Sequence, residues 1–157
     1  MLDTERMTHY RHSLTIDAPA GRVYDALTTP GGLAGWWTED CDIALAEGGK
    51  SIFRFAKTYN VMLIEKLVPV SVVVWKCIEQ YHDASGQLSR PDEWVGTTVR
   101  FELSPVSERR TKLDFEHVGL VAQLDCWEIC ERDWNFFLDE SLKPMCETGT
   151  GKPFIPS

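Results

Sequence analysis

The sequence lacks the features that mark secreted, membrane-spanning or nucleic-acid-binding proteins. Its five cysteines are an odd number without the close spacing of a disulfide framework, which is typical of reduced thiols. Residues 1–11 are polar and charged, unlike a signal peptide, and no apolar run approaches the roughly 18 residues of a membrane span. Lys and Arg number 16 against 24 Asp and Glu, and the net charge of −8 disfavours binding to phosphate backbones or anionic lipids. We therefore expect a cytoplasmic protein that binds neither nucleic acid nor membranes.

The sequence also lacks internal repeats, low-complexity linkers and the common motifs of covalent catalysis and nucleotide binding. Its glycine pairs at 31–32 and 48–49 have none of the flanking residues of a phosphate-binding loop, and no serine lies in a nucleophile elbow. The 157 residues match the length of one domain. We predict a single domain over residues 1–157, and no cofactor is indicated.

Aromatic residues, by contrast, are abundant. The chain contains 6 Trp, 7 Phe and 4 Tyr, which is more large flat surface than a small core needs. Such rings either fill a core or line a pocket for an apolar ligand. Their placement along the predicted elements decides between these two roles.

Hydrophobic periodicity predicts one strand, two short helices, a run of strands and one long helix. The first strand is predicted over 8–17. The first helix begins near Pro19, because proline suits a first helical turn, and is expected to end at Pro30-Gly31-Gly32, before a second helix over 33–37. Alternating or β-branched runs predict strands over 51–56, 61–68, 70–80, 94–103 and 111–120, the last two as a hairpin. Apolar residues at spacings of three and four predict a C-terminal helix over 126–146.

This order predicts an α+β fold in which a curved antiparallel sheet wraps around one long C-terminal helix. Antiparallel strands joined by short turns form a sheet whose apolar face must be covered. One helix of about 20 residues spans about 30 Å, so it covers the middle of a concave sheet and leaves space at one end. We expect an internal cavity there, partly closed by the two short helices.

Four segments carry a resemblance to a known family: APAGRVYDALTTPGGLAGWWTED at 18–40, EWVGTTVRFELSPV at 93–106, TKLDFEHVGL at 111–120 and DWNFFLDESLKPMCETGTGKPF at 133–154. In order and spacing they resemble the SRPBCC (START-like, helix-grip) superfamily, in the branch named for homologues of the activator of heat-shock protein 90 ATPase. The resemblance covers almost the whole chain and implies the helix-grip fold. Members of the superfamily bind lipids, steroids and polyketides, and some cyclise or hydrolyse them, so the resemblance is weak evidence for any one activity.

Side chains alternate between the two faces of a strand, and the apolar residues of the C-terminal helix share one face. Both patterns place many aromatic side chains on the predicted inner surface. We predict that a set of these residues lines a pocket for a flat apolar ligand, with core packing as the alternative for each ring: Trp36, Trp37, Phe53, Phe55, Trp75, Phe101, Phe115, His117, Trp127, Trp134 and Phe137. Trp37 and Trp75 are the leading candidates. His117 can act there as an acid or base or bind a ligand oxygen, although a structural histidine with both nitrogens bonded would fit the pattern as well.

The C-terminal helix carries two further groups of polar residues. Glu131 is the helix carboxylate nearest the apolar stripe and is the second catalytic candidate, with a surface role as the alternative. Cys126 and Cys130 share one helix face, but a zinc site needs about four ligands. Cys146 lies several turns beyond them and His117 lies on a strand, so the spacing predicts no metal site.

Three functions remain open from the sequence. The first is a module that binds a small hydrophobic or aromatic molecule. The second is a cyclase or hydrolase of an aromatic or polyketide-like substrate, in which His117 and Glu131 transfer protons. The third is a regulator or co-chaperone-like partner of a heat-shock protein, as the name of the branch implies. An edge strand left open by this order would also allow a homodimer to form.

Overall fold

The computed structural model describes residues 9–44, 46–84 and 86–157, so Thr8, at the predicted start of the first strand, lies outside the described residues. The elements follow in the order β1 (His9–Ile16), α1 (Ala20–Thr28), α2 (Pro30–Trp36), β2 (Cys41–Asp42), β3 (Lys50–Phe55), β4 (Thr58–Val68), β5 (Val72–Tyr81), β6 (Thr98–Ser107), β7 (Arg110–Val121), α3 (Trp127–Phe136), a π-helical segment (Phe137–Leu142) and α4 (Lys143–Thr148). Within the described ranges, no helix has the length and apolar character needed to cross a bilayer.

The strands form one seven-stranded antiparallel sheet in the order β1-β7-β6-β5-β4-β3-β2. The sheet is curved and unclosed, and α3, the π-helical segment and α4 continue one another as a 22-residue C-terminal helix. The helix packs on the inner face of the sheet, where the ring centroids of Trp134 and Phe115 lie 4.5 Å apart. The predicted α+β helix-grip fold, with two short helices after the first strand, is confirmed.

The first helix ends at Thr28, directly before Pro30-Gly31-Gly32, but this segment begins α2, so the second helix starts at Pro30 and not at the predicted residue 33. Thr29 caps the helix, because its hydroxyl accepts a hydrogen bond from the Gly32 amide at 3.0 Å, and Pro30 takes the first helical position. A Cβ at Gly32 would lie 2.6 Å from the Cα of Ala26. Glycine is therefore required here because α1 and α2 pack so closely.

Both ends of β6 also differ from the sequence pattern. β6 begins at Thr98 instead of Trp94, because the backbone folds back in a turn in which the Thr97 amide donates to the Trp94 carbonyl at 2.8 Å. β6 also continues through Pro105, which was expected to end it. Strand β5 pairs with β6 only between Thr98 and Glu102, so the missing amide of Pro105 breaks no bond to that neighbour.

The C-terminal helix contains a π-helical segment just before Pro144 and is tied to α2 through its middle. Pro144 has no amide hydrogen to donate to the carbonyl four residues earlier. The helical hydrogen-bond pattern therefore widens to the π form at this point. From within the segment, the Ser141 hydroxyl donates to the Trp36 carbonyl at 2.6 Å and accepts from the Lys152 amide at 2.7 Å. The chain after the helix therefore returns beside α2, where the Phe154 amide donates to the Trp37 carbonyl at 2.9 Å.

Candidate functional site

A cavity of about 500 Å³ lies between the C-terminal helix and the ends of strands β3, β4 and β5. The loop between β5 and β6 and the C-terminal tail contribute the other walls. Its lining consists of Trp37, Phe55, Thr58, Asn60, Gln80, His82, Asp83, Ala84, Gln87, Trp94, Ile129, Cys130, Arg132, Asp133, Trp134, Phe136, Phe137 and Phe154. The volume is within the range of small-molecule sites, about 300 to 1,000 Å³.

Three tryptophans form a continuous stack along one side of this cavity. The ring centroids of Trp94 and Trp134 are 5.9 Å apart with planes 8° from parallel, and those of Trp134 and Trp37 are 5.3 Å apart at 21°. The rings come from the loop before β6, the C-terminal helix and the end of α2. Tertiary folding thus assembles a flat aromatic wall from three distant parts of the chain.

Four of the predicted ligand residues line this cavity: Trp37, Phe55, Trp134 and Phe137. Phe53 and Trp75 instead line a narrow crevice of about 10 Å³, and the Phe115 ring is buried in the core against Trp134. Trp36 and Phe101 are fully buried, and Trp127 packs at the edge of the core. Trp94 was missed, because a strand over 94–103 would place its ring on the face opposite Val99 and Phe101, whereas Trp94 lies in the loop before β6.

His117 is fully buried, and both of its nitrogens are occupied. The Trp134 indole donates to Nδ1 at 3.1 Å, so Nε2 carries the proton and donates to the Thr97 hydroxyl at 2.8 Å. Burial, with a smaller contribution from His9, lowers the pKa of His117 from 6.5 to about 3. The ring is therefore neutral and has no free nitrogen for a substrate, which is the geometry of a structural histidine.

Glu131, the other catalytic candidate, is half-buried and does not line the cavity. It lies near the phenol of Tyr10, whose pKa is raised by burial and further by the negative charges of Asp139 and Glu131. Tyr10 donates its hydroxyl hydrogen to the Asn135 side chain at 2.5 Å. The structure does not bring Glu131 and His117 together at the cavity.

The polar groups of the cavity lie on neighbouring strands. Asn60 of β4 and Gln80 of β5 are paired across the sheet, and both are more than nine-tenths buried. The Gln80 side-chain oxygen accepts the Trp94 amide at 2.9 Å. The Asn60 side-chain oxygen is the one buried side-chain nitrogen or oxygen in the described part of the chain that has no hydrogen-bond partner.

Beside these polar groups lies a cluster that joins the helix to the end of β5. One nitrogen of His82 and the sulfurs of Cys126 and Cys130 all lie within 4.8 Å of one another. The two cysteines were recognised in the sequence as sharing one helix face. His82 was not connected with them, because only the fold brings the residue after β5 beside the start of α3.

A curved sheet gripping one long helix, with an aromatic cavity where the two separate, defines a helix-grip protein of the START-like class. Residues 17–147 match the family described as Activator of Hsp90 ATPase homolog 1-like protein. The chain belongs to this family, as its sequence resemblance implied. No curated protein matches it.

Several solved structures have the same fold. The Aha1 dimer from Colwellia psychrerythraea is 31% identical, with a TM-score of 0.77 over 92% of this chain and 100% of that one. A putative protein from the dynemicin biosynthetic locus is 16% identical, with a TM-score of 0.67 over 90% of this chain and 48% of its own. A protein from Staphylococcus saprophyticus is 14% identical, with a TM-score of 0.70 over 94% of this chain and 98% of that one. The last two likenesses concern the fold alone.

Proposed function

We propose that this protein binds a flat, largely apolar small molecule that carries a hydrogen-bond donor, in the cavity between the C-terminal helix and strands β3 to β5. The observation that carries the proposal is a cavity of about 500 Å³ with a stacked tryptophan wall and one unpaired buried acceptor, the Asn60 side-chain oxygen. The two features select different parts of a ligand.

The aromatic wall favours a flat ring system. Trp94, Trp134 and Trp37 stack on one another and are 7%, 2% and 2% exposed, so small parts of the rings face the cavity. An aromatic ligand packed against them gains about 0.5 to 1.5 kcal/mol per favourable ring pair beyond the burial of area. Phe55 and Phe137 lie 6.1 Å apart on the lining and add apolar surface. A ligand with one or more fused rings fits this shape and chemistry best.

The buried amide favours a donor on that ligand. A buried acceptor without a partner costs about 1 to 3 kcal/mol. The Asn60 oxygen is closed off from the cavity in this orientation, so a ligand hydroxyl or N–H recovers this free energy once the side-chain amide turns its oxygen towards the cavity. Gln80, beside it on β5, is held by its own bond to the Trp94 amide. Asn60 is therefore the group that would orient the ligand.

The alternative of a cyclase or hydrolase receives no support from the two residues first considered for it. Both nitrogens of His117 are bonded within the protein, and Glu131 does not line the cavity. A proton-transfer pair would have to converge in the cavity. Binding without turnover is the simpler function for this lining.

A role as a partner of a heat-shock protein would need an exposed apolar or charged patch on the outer face of the sheet. On the described residues of β1, β6 and β7 that face carries charges of both signs, paired with each other as in Arg11 with Glu116 at 2.6 Å and Arg100 with Glu102 at 3.2 Å. Such mutual pairing leaves little net field to attract a partner. Ligand binding is the better-supported proposal.

We further propose that the protein is cytoplasmic and forms a homodimer. All five cysteines are free thiols, which favours a reducing compartment. The similar protein from Colwellia psychrerythraea is described as a dimer, and β1 (His9–Ile16) is an edge strand of the sheet whose free side can pair with a second copy. Light scattering after size exclusion would give the mass in solution, and a monomer at all concentrations would contradict the dimer.

Native mass spectrometry of the protein purified from cells tests the binding proposal directly. We expect a small molecule to accompany the protein, with a mass and absorption spectrum that indicate an aromatic compound. An apolar fluorescent dye should bind to the stripped protein and be displaced by that molecule. Absence of both the accompanying molecule and dye binding would overturn the proposal.

Paired variants test the two halves of the site. Phe55→Ala should weaken the dye several-fold because it removes lining surface, whereas Val106→Ala, at an exposed position on the β6 to β7 hairpin, should not change it. Asn60→Leu should leave the apolar dye bound but weaken the natural ligand about tenfold, since a lost hydrogen bond is worth about 1.4 kcal/mol. Equal affinity of Asn60→Leu for the natural ligand would refute the role of the amide.

A further inference from the structure

We propose that His82, Cys126 and Cys130 bind one zinc ion, with a fourth coordination position that opens into the cavity. The site would take a water molecule or a heteroatom of the bound ligand at that position. Its basis is the side-chain cluster itself, so it does not depend on the identity of any organic ligand.

The ligand set is the one that zinc prefers. Thiolate and imidazole ligands favour zinc over harder ions such as magnesium or calcium. In a tetrahedral zinc site two sulfurs lie about 3.8 Å apart, and a sulfur and a nitrogen about 3.6 Å apart. The three atoms here are all within 4.8 Å of one another. Side-chain rotations that bring these atoms about 1 Å closer together would therefore give the distances of a zinc site.

The backbone places these three residues for reasons the fold makes clear. Cys126 occupies the position before the first residue of α3, and the Cys130 amide donates to the Cys126 carbonyl at 2.9 Å, so the two sulfurs lie one turn apart on the same helix face. His82 follows β5 directly, and its amide donates to the Pro91 carbonyl at 2.8 Å. The loop that begins at His82 is therefore closed on itself beside the helix.

The same loop is tied to the start of α3 by two carboxylates. Glu93 accepts the amides of Asp125 and Cys126 at 3.0 and 2.9 Å, and Asp125 accepts the amide and hydroxyl of Ser89 at 2.9 and 2.5 Å. Hydrogen bonds to ionised groups are the stronger kind. They preorganise both sides of the cluster, as a metal site on two separate elements requires.

An independent observation concerns the Cys130 sulfur. The indole N–H of Trp94 points at it with a nitrogen to sulfur distance of 3.3 Å, and an indole can only donate a hydrogen bond. The sulfur must therefore accept, which is what a metal-bound thiolate does with its outer-shell partner. Cys130 is 3% exposed and Cys126 fully buried, so both sulfurs are shielded from water.

Three protein ligands leave one tetrahedral position free, which is the pattern of zinc sites that bind water or substrate. His82 and Cys130 both line the cavity, together with Trp94. The free position therefore faces the same space as the proposed organic ligand. An oxygen or nitrogen of that ligand could coordinate the ion there.

Cobalt substitution of the full-length protein tests this site. The reduced, chelator-treated protein should bind one Co²⁺, with thiolate-to-metal charge-transfer bands in the near ultraviolet and intense tetrahedral bands in the visible, and Zn²⁺ should displace it one to one. Cys126→Ser, Cys130→Ser and His82→Ala should each weaken binding on the order of 100-fold or more, because loss of an outer-shell group alone costs about 10- to 100-fold. Trp94→Phe should fall in that smaller range.

Cys41→Ser and His12→Gln are matched controls, since each removes a thiol or imidazole from elsewhere in the chain and should leave the cobalt spectrum unchanged. Circular dichroism of each variant without metal verifies that it folds. Absence of charge-transfer bands in the unsubstituted protein would overturn the site without reference to any variant. Unchanged affinity in Cys126→Ser or His82→Ala, or loss of the bands in Cys41→Ser, would overturn it equally. Failure here leaves the dye and mass-spectrometry results intact, so the two proposals fail separately.

Discussion

Acid should destabilise this protein through one residue, His117 in strand β7. Burial, with a smaller contribution from His9, lowers the pKa of its imidazole from 6.5 to about 3. The neutral ring is the form that its neighbours require, because Nδ1 accepts the Trp134 indole hydrogen and Nε2 donates to Thr97. In the unfolded chain the same ring is free to take up a proton, so acidification favours unfolding.

The magnitude follows from the two pKa values. Because the folded pKa lies below the unfolded one, the contribution of His117 to stability is complete above about pH 7.5 and is lost as the pH falls from about 6.5 towards 3. Each pH unit within that window is worth about 1.4 kcal/mol. At about pH 5 the protonation of this one ring should therefore lower the free energy of unfolding by about 2 kcal/mol.

Urea unfolding at about pH 7.5 and about pH 5, followed by tryptophan fluorescence, measures this loss. His117→Gln is the matched variant, since its amide can donate to Thr97 and accept from Trp134 but does not titrate in this range. The fall in unfolding free energy between the two pH values should be about 2 kcal/mol larger for the unsubstituted protein. Equal falls in the two proteins would refute the neutral buried histidine.

Three further substitutions or treatments have clear expected results. Asn60→Leu should raise the free energy of unfolding by about 1 to 2 kcal/mol, because it removes a buried acceptor without a partner; a loss of stability in urea titrations would contradict this. Gly32→Ala should lower the melting temperature, since overpacking costs about 1 to 3 kcal/mol and the new Cβ would lie 2.6 Å from the Ala26 backbone; an unchanged melting curve would disprove the close helix contact. Burial raises the pKa of Cys77 and of Cys146 to about 12, so at about pH 8 iodoacetamide should label both only after denaturation, and mass spectrometry of peptides from the native protein would reveal any exception.

The order of elements could be predicted because burial of one face imposes a period on the sequence. In β6 and β7 the inward residues Val99, Phe101, Leu113 and Phe115 alternate with outward polar ones, and the structure buries them accordingly. Periodicity predicts no element where the sequence has no repeating pattern. β2 is only two residues long, and the Pro30-Gly31-Gly32 segment has composition typical of a turn although Thr29 caps a helix there.

The candidate site was predictable only in part. Trp37, Phe55, Trp134 and Phe137 lie on elements with a clear inner face and do line the cavity. Trp75, a leading candidate, shares that inner face but lies on β5, the central strand of the sheet, and does not line the cavity. The alternation of side chains separates the inner from the outer face of a strand. It does not predict at which residue of the strand the helix and the sheet separate to form the cavity.

The amino-acid sequence by itself determined the class of fold, because alternation and helical spacing are local consequences of which face is buried. Only the tertiary structure decided which rings line a cavity, which polar groups are left without partners and which thiols lie beside a histidine. Asn60, His82 and Trp94 illustrate the difference. Their roles depend on distances between side chains that are remote in the chain, and such distances arise only when the sheet curves around the helix.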